Sequence, residues 1–121
     1  LSPTITAVTS FVIDYIKSDK EPREKLWQNV SRFRKKMKEA GFTVSKTEHP
    51  IVPIMLGEAK LAKNMASELF KEGIYVIGFS YPVVPEGASR VRVQISAAHT
   101  DKDIDRAVEM FSKIAKKMKI I

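Results

Sequence analysis

Cysteine is absent from this 121-residue chain, and histidine occurs only at His49 and His99. Neither a disulfide framework nor a thiolate metal site can be built, and two histidines are too few for a structural zinc site, so no metal-ligating residue is expected. No apolar run approaches the ~20 residues that a membrane-spanning helix needs. Residues 1–17 lack the basic start and small-residue cleavage site of a signal peptide, and a cytoplasmic protein is predicted. G-x-x-x-x-G-K-[ST], G-x-G-x-x-G and H-E-x-x-H are all missing, which removes the usual nucleotide-phosphate and zinc-protease signatures. Residues 71–79 echo the RNP1 octamer of RNA-binding sheets only loosely, since their aromatics fall elsewhere.

What is present suits one modest core: 44% of the residues are hydrophobic and 29% charged. The formal net charge of +7 raises the question of nucleic acid. Its distribution argues against that partner. Residues 20–39 hold eight basic and three acidic side chains, while residues 101–121 hold six and four. Such runs read as solvated faces of separate amphipathic helices, and nucleic acid is not expected as a partner.

Ile5, Val8, Val12, Tyr15 and Ile16 recur at helical spacing, with Phe11 and Ile13 on other faces, so the first helix should be buried on more than one side. A lone small domain offers too little to cover it, and the chain is expected to be a fragment. A second helix follows from Pro22 to about Ala40, with Leu26, Val30, Phe33 and Met37 in one stripe and Gly41 as its stop. Residues 42–45 are a short β candidate, and residues 51–56 a firmer one in which Pro53 argues for an edge or a bulge. Residues 58–71 return to helical period and give way after Gly73 to a β-rich run over residues 74–77. Two prolines and a glycine make residues 81–87 a non-repetitive loop. After the alternating strand over residues 90–95, Thr100 and Asp103 form a capping-box pattern ahead of Ile104, Ala107, Val108, Phe111, Ala115 and Met118. The order α-α-β-β-α-β-β-α predicts an α+β fold, a small and mainly antiparallel sheet covered by helices.

The chemistry concentrates on one strand. In Arg90-Val91-Arg92-Val93-Gln94-Ile95 the valines and Ile95 share one face while Arg90, Arg92 and Gln94 share the other. Arginine's planar fork binds carboxylate or phosphate through two parallel hydrogen bonds, so two arginines on a rigid strand beside a Pro-rich loop could form an acid-binding site; exposed or salt-bridged arginines are the plain alternative. His49, before a proline, and His99, before a helix start, have no nucleophile beside them and are read as turn or packing residues. Trp27 is read as a surface-packing residue.

Three blocks carry a resemblance: His49-Pro50-Ile51-Val52-Pro53-Ile54-Met55-Leu56-Gly57, then Gly73-Ile74-Tyr75-Val76-Ile77-Gly78-Phe79-Ser80-Tyr81-Pro82-Val83-Val84-Pro85, then Arg90-Val91-Arg92-Val93-Gln94-Ile95-Ser96-Ala97-Ala98-His99-Thr100. With them the chain resembles, over essentially its whole length, the C-terminal part of the α-oxoamine synthases, enzymes of fold type I that use pyridoxal phosphate. The Gly78-to-Pro85 block favours the branch that joins glycine to acetyl-CoA, giving 2-amino-3-oxobutanoate and CoA in threonine breakdown. Other branches, 8-amino-7-oxononanoate synthase among them, share the R-[hydrophobic]-R strand.

The resemblance implies a homodimeric enzyme whose pyridoxal phosphate acts as an electron sink. It implies that residues 1–18 are a helix leading from a large domain and residues 19–121 the C-terminal small domain. Arg92, the second arginine of the strand, takes the position that holds the substrate carboxylate; Arg90 is not assigned that role. The lysine that anchors the cofactor belongs to the large domain, and no lysine here matches its motif. No catalytic or cofactor-binding residue is therefore expected in this chain, which should be inactive alone. A free-standing α+β module for a small acid or for RNA is the alternative; RNA would call for a face of exposed aromatics that the sequence does not supply.

Overall fold

Three of the four helices end in the same way. In the computed structural model, which describes residues 1–121, the elements are α1 (Pro3–Ser18), α2 (Glu21–Glu39), β1 (Ile51–Gly57), α3 (Ala59–Lys71), β2 (Ile77–Phe79), β3 (Ser89–Gln94) and α4 (Asp101–Lys117). After α2 the chain turns through Gly41 at φ 95°, and the Phe42 N–H reaches back to the Met37 carbonyl at 3.0 Å. After α3 the turn is at Gly73, φ 79°, and the Ile74 N–H bonds the Leu69 carbonyl at 2.9 Å. After α4 it is Lys119, with the Ile120 N–H on the Ala115 carbonyl. Each is a Schellman turn, which satisfies the orphan carbonyls of the last helical turn and folds an apolar residue back onto the helix.

These turns explain two differences from the sequence reading. The β candidate at residues 42–45 is only an isolated bridge, Val44 with Ile54. Phe42 is spent on the turn, and the carbonyls of Ser45, Thr47 and His49 are taken by the Arg34 guanidinium. The strand expected over residues 74–77 starts later, at Ile77, because Ile74 closes the helix. The order is therefore α-α-β-α-β-β-α.

The sheet has the order β1-β3-β2, and both pairings are antiparallel. Pro53 sits in the edge strand β1, as anticipated; its carbonyl and the Met55 N–H turn away from β3 to bond Ser45 and Thr43, so the missing N–H breaks no rung to β3. Gly78 of β2 lies against α3 so closely that a Cβ there would stand 3.0 Å from the Ala62 carbonyl oxygen. Val52 and Ile54 of β1, Val91 and Val93 of β3, and Ile95 form the buried face; Val30, Phe33, Met37, Met65, Leu69, Ile104 and Phe111 cover it from the helices. The other face of the sheet has no helix upon it.

The N-terminus of α4 carries the expected capping box: the Asp103 N–H donates to the Thr100 hydroxyl, and the Thr100 N–H donates to the Asp103 carboxylate at 2.7 Å. α2 and α4 are joined across their polar edges. Arg32 clasps Asp105 with two bonds of 2.9 and 2.7 Å, Lys36 adds a third of 2.6 Å, and Lys25 meets Asp101 at 3.1 Å. Much of the basic character of α2 is answered here by acids of α4.

The Arg32 hydrogen bonds, then that of Lys36, hold the Asp105 carboxyl well below the ordinary carboxylate range. Its folded-state pKa is depressed, so its contribution to stability is complete above the unfolded value near 4 and is lost as pH falls below it. Asp105→Asn is expected to lower the thermal midpoint at neutral pH, and the gap from the parent should close as the pH drops below about 4. Melts across that range check this; a gap independent of pH would contradict it.

Helix α1 forms as expected, but this chain does not bury it. None of its residues is buried, and Ile5 and Phe11 remain 56% and 70% exposed. The covering that its apolar composition calls for is not supplied by residues 1–121. None of the helices is long and apolar enough to cross a membrane.

Candidate functional site

On β3 the pleat sorts the side chains as the alternation predicts: Val91, Val93 and Ile95 are buried, Arg92 and Gln94 are exposed and Arg90 is half-buried. The pairing register then furnishes the open face. Ile51, Pro53 and Met55 of β1 stand opposite Gln94, Arg92 and Arg90, and Ile77 and Phe79 of β2 stand opposite Arg92 and Arg90 from the other side. The result is a row of polar side chains on the central strand between two apolar banks.

The two arginines are not equivalent. Arg90 donates from Nε to the Ala88 carbonyl at 3.0 Å and so is tied to the end of the Pro-rich loop. Arg92 makes no hydrogen bond and no ion pair within the chain; its guanidinium carbon lies 4.1 Å from the centre of the Phe79 ring. A cation with free in-plane donors, set on a central strand and flanked by apolar surface, has the chemistry to pair with an anion from outside. The Pro-rich loop is ordered beside it: the N–H groups of Val83 and Val84 bond the Ser80 carbonyl, Val84 is buried, and the Tyr81–Pro82 peptide is cis.

The histidines take turn roles, as the sequence suggested. His49 Nδ1 accepts from the Ile51 N–H at 3.0 Å, and His99 Nδ1 accepts from the Ser96 N–H at 3.1 Å. A cavity of about 320 Å³ lies at the far end of β3, bounded by Tyr75, Gln94, His99, Asp103 and Arg106, and Arg92 does not reach it. No three His, Asp or Glu side chains converge as metal ligands would.

Two residues of this region escaped the sequence reading. Asn29 is fully buried and donates to the Ser96 and His99 carbonyls, both at 2.9 Å, pinning the β3–α4 loop to α2. Its one signal was an amide directly beside the Val30 stripe. Phe79 lies in the Gly73-to-Pro85 block, but nothing local revealed that its ring lies under Arg92.

The sequence matches the family model "Aminotransferase class I and II" over residues 1–111. It is 49% identical over 121 residues to the 2-amino-3-ketobutyrate coenzyme A ligase of Escherichia coli K12, a match that covers this whole chain and 30% of that protein. The fold superposes on the 8-amino-7-oxononanoate synthase of Francisella tularensis with a TM-score of 0.84, at 28% identity, over 98% of this chain and 35% of the other. It also superposes on a serine palmitoyltransferase of S. paucimobilis described with bound PLP–myriocin, with a TM-score of 0.78, at 31% identity, over 84% of this chain and 26% of the other. The chain thus spans about a third or less of the proteins that it matches.

Proposed function

Since the chain belongs to the aminotransferase class I and II family, we propose that it is the C-terminal small domain of a pyridoxal-phosphate-dependent glycine C-acetyltransferase, joining glycine to acetyl-CoA to give 2-amino-3-oxobutanoate and CoA. Residues 19–121 form that domain, and residues 1–18 are the helix that leads into it from a large domain. Its bare apolar surface supports this division, because Ile5, Val8, Phe11 and Ile16 stand without cover. The working enzyme is a cytoplasmic homodimer.

The observation that carries the reading is the free guanidinium of Arg92. An amino acid as small as glycine offers little beyond its carboxylate and amine, so a bidentate grip on the carboxylate fixes most of its orientation. None of the three strands behind the open face carries a lysine. These residues fit the substrate's carboxylate and not the cofactor's anchor, which the remainder of the enzyme supplies. Pyridoxal phosphate there provides the electron sink that amino-acid carbanion chemistry requires. This chain's own part is to bind and orient.

The test is CoA release by the full-length protein with pyridoxal phosphate, glycine and acetyl-CoA. Thiol release that needs both substrates is expected, and residues 1–121 alone should release none. A loaded, folded full-length protein that releases CoA with neither substrate dependence, or not at all, would sink the proposal.

A further inference from the structure

The Phe79 ring is placed by strand pairing rather than by a loose loop. β2 runs antiparallel to β3 with Ile77 opposite Arg92, Gly78 opposite Val91 and Phe79 opposite Arg90. Phe79 is therefore the diagonal neighbour of Arg92 on the open face, a separation that an aromatic and a long side chain can bridge. Its guanidinium carbon stands 4.1 Å from the ring centre. β2 is fixed laterally by this pairing, and on its buried side it already lies close to α3, since a Cβ at Gly78 would stand 3.0 Å from the Ala62 carbonyl oxygen.

We infer that Phe79 is a positioning residue: its ring holds one face of the Arg92 guanidinium and leaves the in-plane N–H fork free for a carboxylate. The inference rests on the reading of Arg92 as the carboxylate grip. The attraction between a cation and a ring acts through the face of the guanidinium, whereas carboxylate is received at its edge. The two partners do not compete. An arginine without other partners would otherwise search many rotamers, and every bound substrate would have to still it.

The experiment uses the full-length, cofactor-loaded protein and reads glycine binding by calorimetry without acetyl-CoA, beside steady-state kinetics. Phe79→Leu keeps an apolar side chain but loses the ring face, and should weaken glycine binding on the order of fivefold while acetyl-CoA saturation stays where it was. Phe79→Tyr should restore glycine binding. In an Arg92→Ala background Phe79→Leu should add nothing, since the ring then has no cation to hold. Should leucine unfold β2, stepwise fluorination of the ring at position 79 preserves its shape and weakens the negative face, and glycine affinity should fall with each fluorine.

A large loss in Arg92→Ala with none in Phe79→Leu or the fluorinated series overturns this inference alone. So does a Phe79→Leu loss of the same size with Arg92 absent, which would mark the ring as merely structural. Unchanged glycine binding in Arg92→Ala overturns the carboxylate reading and takes this inference with it.

Discussion

Arg92→Ala in the full-length enzyme is expected to cost about 2–5 kcal/mol in kcat/KM for glycine, the range for removing one partner of a desolvated, hydrogen-bonded charge pair. The size follows from what is left behind: a carboxylate brought onto a strand between Pro53 and Ile77 without the guanidinium fork that would have paired with it. Arg92→Lys separates charge from shape. A lysine keeps the positive charge but offers one rotating ammonium in place of two parallel donors, so a partial loss is expected. Arg90→Ala should cost distinctly less, because the Arg90 Nε is already engaged by the Ala88 carbonyl. Kinetics with varied glycine on the three variants decide the matter, and a loss at Arg90 equal to or above that at Arg92 would transfer the role to Arg90.

That contrast also marks where the sequence stopped being informative. Alternation alone put Arg90 and Arg92 on one face, and only the resemblance to the α-oxoamine synthases preferred the second. The structure supplies a physical difference, since Arg90 has an internal partner and Arg92 has none. The helices were legible because their apolar residues recur with period 3.6 and their ends carry local signals: Gly41, Gly73 and the Thr100–Asp103 box.

What misled was competition for the same backbone groups. Residues 42–45 and 74–76 have strand-like composition, yet Phe42 and Ile74 give their N–H groups to helix ends, and Arg34 takes the Ser45 carbonyl, with those of Thr47 and His49 just beyond it. Composition does not record such bids. The placement of Arg92 over the Phe79 ring joins two strands through a diagonal that exists only once the register of β2 on β3 is known.

The second large effect is expected at Phe111, which is fully buried and meets two other rings edge to face: Phe33 of α2 at 6.2 Å and 72°, and Phe42 of the α2 turn at 6.0 Å and 88°. One side chain of α4 thereby fastens both the stripe of α2 and the turn that ends it. Truncation to alanine removes the transfer free energy of a whole ring, opens a cavity between α2 and α4, and deprives two aromatic neighbours of their edge contact. A loss of about 3–5 kcal/mol is the ordinary range for such a change. Phe111→Leu should cost much less, since it refills most of the volume. Native-state hydrogen exchange in the full-length protein reads this domain locally, free of the rest of the molecule. Where the slowest amides of α2 and α4 exchange through opening of this core, Phe111→Ala should speed them on the order of a hundredfold or more, each factor of ten being ~1.4 kcal/mol. A change below about tenfold would mean that α2 and α4 are held chiefly by the Arg32–Asp105–Lys36 cluster on their rim, against the small contribution that exposed ion pairs ordinarily make.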